Sequence, residues 1–187
     1  MHGNKNVLAS QGELKLKAEQ LKKAYQKLSA APYTAKYQRE YFESFPNSFV
    51  LFNNLFGYSS QASIGKGFNP GPLYNEAQSY VNSFFNLNLI DTVEYYNRII
   101  DIGINGKWYA DGVNYFKNGM ELKIKKDIDV FVKLLSKRSD SEVKSFWFFY
   151  FDGPHPSNAI PSEFDGIITT SPKMYSIIEM AHKEVLK

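Results

Sequence analysis

Cysteine is absent from the chain, which excludes a disulfide framework, a thiolate zinc site and a cysteine nucleophile, and leaves the redox compartment open. Histidine is nearly as scarce. With His2, His155 and His182 alone, no histidine-rich metal centre is expected, and no Asp-x-Asp-x-Asp-Gly loop supplies converging oxygens in its place. Neither sign of charge dominates: 22 basic residues stand against 19 acidic ones, a net charge of +3, too weak a field to argue for or against nucleic acid. No apolar run approaches the roughly 20 residues that span a bilayer, so no membrane span is expected. The start, Met1 to Asn6, lacks the apolar centre of a signal peptide. The chain as written therefore reads as cytoplasmic, although a polar start leading into a Lys-rich helix is also what an exported protein shows once its signal has been removed.

Aromatic and apolar side chains are plentiful. At 187 residues, with 43% hydrophobic and 16% aromatic content, one sizeable core is affordable. The expected organisation is a flexible tail over 1–12 and a single all-α domain over 13–187.

Helical periodicity recurs along the chain. Leu14, Ala18, Leu21, Ala24, Tyr25 and Leu28 fall on one face of a helix from Glu13 to Ala30, with lysines on the other face. Thr34 and Asn47 read as caps of two aromatic-striped helices, the second closed by Gly57 in a left-handed cap position. A fourth helix is expected over 73–87. Asp91 with Glu94 opens a fifth like a capping box, a sixth runs from about Trp108 to Lys125, and a seventh from Ile128 to Lys137. Ser171-Pro172 opens the last. Asp165 to Thr170 is the one short stretch that could run extended, and no hairpin chemistry accompanies it. The fold class is all-α, as an irregular multi-helix bundle or as stacked helical pairs of the HEAT kind.

The chain is organised around Ser139 to Pro156. Ser139 and Glu142 have capping-box spacing. Six consecutive aromatic residues, Phe146 to Phe151, then make a helix apolar over most of its circumference, hence buried. Asp152-Gly-Pro-His-Pro156 must stop it, because Pro154 and Pro156 each restrict the residue before them.

Two constellations and one loop could carry chemistry or recognition. Asp152 and His155 flank a rigid Gly-Pro turn, the raw material for an oriented general base; the structural alternative is that Asp152 caps the turn and His155 packs on the helix end. Trp108, Tyr109, Asp111 and Asn114 combine aromatic faces with amide and carboxylate groups, as ligand sites do. The glycine-rich loop from Tyr58 to Pro72, with Lys66 and Phe68, could form a binding lip, but Gly65-Lys66-Gly67 does not meet the phosphate-loop pattern. Basic corners at 123–126 and 133–138 are diluted by Asp127, Asp129 and Asp140, so nucleic-acid binding is not expected.

The segments Phe52-Asn-Asn-Leu-Phe-Gly-Tyr58, Ile104-Asn-Gly-Lys-Trp108 and Ser145 to Pro156 together resemble a group of uncharacterised helical bacterial proteins. No activity, cofactor or catalytic residue transfers with that likeness. The small, variable character of the group is similar to that of immunity proteins, which neutralise secreted bacterial toxins. The first expectation is therefore a non-enzymatic protein that binds another protein, with no cofactor. The alternative is a hydrolase in which His155 is the base, Asp152 orients it, and Asp111 shares the cleft with Trp108 and Asn114.

Overall fold

The computed structural model describes residues 11–58, 70–109 and 111–187. Among these, ten α-helices and one short 3₁₀ turn follow in order: α1 (Gln11–Ala30), α2 (Ala35–Ser44), α3 (Phe49–Phe56), α4 (Ala77–Phe85), α5 (Thr92–Gly103), α6 (Asp111–Lys126), α7 (Ile128–Leu135), α8 (Asp140–Phe151), the 3₁₀ turn Ser162–Phe164, α9 (Asp165–Thr170) and α10 (Pro172–Val185). The protein is all-α. Asp165 to Thr170, the stretch that could have run extended, is helical. None of the described helices is long and apolar enough to cross a membrane.

Side-chain caps set three of the helix starts, those of α3, α5 and α8. Ser139 accepts from the Glu142 N–H while Glu142 reaches back to the Ser139 N–H, a complete capping box. Asp91 accepts from the Glu94 N–H. α3 departs from expectation at both ends. Its cap is Ser48 rather than Asn47, and Gly57 ends it at φ −113°, outside the left-handed region. α6 begins at Asp111, later than Trp108, because 104–109 is a connector fastened to another helix.

α8 packs along α10, α4 along α6, and α1 along α2. Two of these three main pairings join helices that are not consecutive, which gives an irregular bundle and not a ladder of sequential pairs. One connected core runs from Ala18 in α1 to Ala181 in α10. Aromatic rings fill it: Phe45 stacks on Phe84 at 4.1 Å, and Phe52 meets Phe116 at 5.1 Å. Trp147 is 0% exposed, edge-on to Phe146, Tyr150 and Phe164, and its indole N–H donates to the Met174 sulfur at 3.3 Å.

Two polar side chains set into this core, Gln38 and Arg98, are satisfied largely by backbone, whereas the buried Asn53 Oδ1 has no partner among the described residues. The Gln38 side chain donates to the Pro32 carbonyl and accepts from the Asn88 and Leu89 N–H groups. Arg98 donates to the carbonyls of Phe42 and Phe45 at the end of α2, where a cation is favoured by the helix dipole.

Candidate functional site

α8 ends where its sequence says it must. Phe151 is its last residue and Asp152 its cap, the Asp152 N–H donating to the Phe148 carbonyl at 2.8 Å. The chain then turns through Gly153 to Pro156. A cleft of about 280 Å³ opens between this turn, the connector before α6, and α6 itself. Trp108, Asn114, Asp152 and His155 all line it. Four residues expected to form a site therefore do converge, although they come from segments some 40 positions apart.

Their mutual contacts differ from the dyad expected. The Asp152 carboxylate accepts the Trp108 backbone N–H at 2.7 Å and serves the connector, not His155. His155 is exposed and has no hydrogen bond among the described residues. The histidine that packs on the end of α8 is His182, whose ring meets Phe151 edge-on at 5.0 Å and whose Nε2 donates to the Ser157 carbonyl at 2.8 Å.

The connector is held at two points along α8. The Asn105 N–H, from a backbone with φ 60°, donates to the Ser145 hydroxyl at 2.7 Å, and Trp108 reaches Asp152. Between them Gly106 lies so close to the aromatic helix that a β-carbon there would sit 2.5 Å from the Phe149 ring. This close approach delivers Trp108 to the cleft, 36% exposed, with its chain neighbour Tyr109 49% exposed.

α6 contributes residues that periodicity alone reads as a solvated face. Asn114, Lys117, Asn118, Glu121 and Lys125 form one stripe at helical spacing along the cleft. Lys117 is only 6% exposed. Its ammonium donates to the Asp152 carbonyl, capping α8, and lies 5.6 Å from the centre of the Phe149 ring. Burial pushes the Lys117 pKa below the usual lysine range, with Glu121 and Asp152 pulling it back. Burial likewise pushes the half-buried Glu121 carboxyl upward, opposed by Lys117 and Lys125. The only sequence signal for these two was the polar stripe itself.

Asp111 and Tyr109 are not among the residues lining the cleft. Asp111 accepts from the Tyr74 hydroxyl at 3.2 Å, and Tyr74 lies against Tyr58, ring centres 4.7 Å apart. The Tyr74 phenol is held well above its usual range, first by its hydrogen bond with Tyr58, then by desolvation and Asp111. Asp111 thus braces the base of the 58–70 loop, whose ends meet in a Tyr58–Pro70 bridge. Lys66 and Phe68, the other expected members of that lip, lie outside the described residues. No group of three or more metal-ligating side chains occurs among the described residues.

Compared with known protein families, with curated proteins and with solved structures, the chain matches none.

Proposed function

We propose that the protein is a non-enzymatic binding protein that docks another protein on the mouth of the cleft, most concretely as an immunity-type inhibitor of a bacterial toxin. The observation that carries this reading is the adjacent pair Trp108 and Tyr109, left well exposed by a connector fastened to α8. Most rings of the described chain are taken into the core. Exposed, rigidly mounted Trp and Tyr residues with a polar surround are the usual anchors of protein interfaces. The polar groups nearby are engaged in structure: Asp152 holds Trp108, and Lys117 holds the end of α8.

The test is co-purification with the product of each neighbouring gene, followed by titration of the complex. Trp108→Ala is expected to weaken it by about 30-fold, corresponding to the ~2 kcal/mol typical of a hot spot. Failure of every neighbour's product to bind would count against the proposal.

The hydrolase reading has one specific observation in its favour, the convergence of Trp108, Asn114, Asp152 and His155 on one cleft. It requires His155 to act without Asp152 as its orienting partner, because no hydrogen bond joins the two among the described residues, where the carboxylate accepts from Trp108. Turnover of a substrate by the wild type that His155→Ala abolishes at unchanged melting temperature would promote it.

A further inference from the structure

Lys117 and Glu121 carry opposite charges one helical turn apart on the cleft wall, and neither belongs to an ion pair among the described residues. Of the other charged groups nearby, Lys125 pairs with Glu163 at 3.3 Å, and the Asp152 carboxylate accepts the Trp108 N–H while its charge also acts on Lys117. An ammonium has three donors, and Lys117 places one on the Asp152 carbonyl. Burying charge outside an ion pair is costly, and such groups in a cleft are candidates for a site. Burial displaces both groups toward their neutral forms, and the charges around them oppose that displacement without closing an ion pair on either.

We propose that the cleft binds a free α-amino acid with an apolar side chain, its carboxylate received by Lys117 and its ammonium by Glu121. An α-amino acid carries both charges on one carbon, so side chains from consecutive turns, with Cβ atoms about 5–6 Å apart, can close on it together. The charge balance of the lining selects this class. A plain anion would meet Glu121 and Asp152, and a plain cation would meet Lys117 and Lys125; a zwitterion satisfies both without net charge. The remaining wall, Trp108, Tyr150 and Phe151 with Pro154 and Pro161, suits an apolar side chain. At about 280 Å³ the space is just below the ~300–1,000 Å³ of drug-sized sites, a size that suits one amino acid. The site goes beyond the docking of a protein on the cleft mouth and does not depend on it.

The experiment is calorimetric titration of the full chain with L-phenylalanine, L-leucine and L-tryptophan, and with two analogues of phenylalanine. Hydrocinnamate lacks the ammonium and phenethylamine lacks the carboxylate. At least one amino acid is expected to bind, and each analogue to bind at least about tenfold more weakly than phenylalanine, the loss of one charged hydrogen bond. Lys117→Met, which keeps the volume, should abolish amino-acid binding. Glu121→Gln should weaken phenylalanine while leaving hydrocinnamate unchanged or tighter. Binding by none of the three amino acids overturns the proposal. So does hydrocinnamate or phenethylamine binding as tightly as phenylalanine, or a Lys117→Met variant with wild-type affinity. Should Lys117→Met fail to fold, the glutamine variant decides: unchanged affinity for phenylalanine overturns the proposal on its own.

Discussion

The inner part of α8 and the cleft at its outer end belong to one helix and are held together by different physics. From Val143 to Tyr150, most side chains are taken into the core, and the contacts are chiefly rings against rings, with the Trp147 indole N–H donating to the Met174 sulfur. Around Asp152 the holding contacts are few, polar and directional: Lys117 on a carbonyl, and Trp108 on a carboxylate. The first kind of stability is spread over volume and falls when volume is removed. The second is concentrated in single atoms, so the outcome depends on what replaces them.

Trp147→Ala tests the first half of that contrast most severely. Removing a fully buried tryptophan typically costs ~3–5 kcal/mol, a large share of the ~5–15 kcal/mol of a domain. The variant is expected to be mostly unfolded or aggregated at 37 °C by circular dichroism. A soluble variant with an unchanged melting temperature would mean that the apolar end is not the centre of the fold.

Lys117 tests the other half. Lys117→Ala leaves the Asp152 carbonyl without its buried donor and is expected to lose about 1–3 kcal/mol in urea unfolding. Lys117→Met keeps the volume but also leaves that carbonyl without a donor, and should lose a comparable amount. A loss in Lys117→Ala that Lys117→Met does not share would show that the cleft is held by volume, as the inner helix is. The pH dependence sharpens this further. Because burial lowers the native pKa of Lys117, the unfolded chain binds more protons between that native value and the unfolded value of about 10.4. Stability should therefore rise with pH across that interval. The cost of burying the charge is fully present below the native value and relieved above it. Lys117→Met should remove this rise, and the difference between the two chains' urea midpoints, followed upward from neutral pH, measures it.

Gly106 sits where the two regions meet. Gly106→Ala drives a β-carbon into the Phe149 ring and is expected to cost roughly 1–3 kcal/mol, as overpacking does. It should also loosen the Trp108 connector, seen as a change in indole fluorescence. Stability and fluorescence both unchanged would separate the connector from the aromatic helix.

The smallest effects belong to the turn. Pro154→Gly should lower stability by roughly 1 kcal/mol, through the greater freedom of the unfolded chain. His155→Ala should stay within about 0.5 kcal/mol, since the ring is exposed and makes no hydrogen bond among the described residues. Thermal melting of the two side by side checks both. A larger loss for the histidine variant would mean that His155 carries structure its exposed position does not suggest.

What the sequence by itself determined is the all-α class, nearly every helix, and the buried standing of α8. Those features rest on short-range rules: apolar residues at helical spacing, the Ser139–Glu142 and Asp91–Glu94 caps, and Gly-Pro stops act within a few residues and leave a direct imprint on the chain. It also singled out Trp108, Asn114, Asp152 and His155, because aromatic and polar groups beside glycine or proline are conspicuous. Only the tertiary structure decided what these groups do. A lysine on a polar helical stripe is solvated unless another element covers it, and the exit of α8 covers Lys117. Asp152 looked like a partner for His155, three residues away, but the close approach of the connector brings it a backbone N–H from 44 positions earlier. Asp111, three residues from Trp108 in the chain, turns instead to Tyr74. Charge, burial and hydrogen bonding depend on which surfaces meet, and that is settled by helices far apart in sequence packing on a common core.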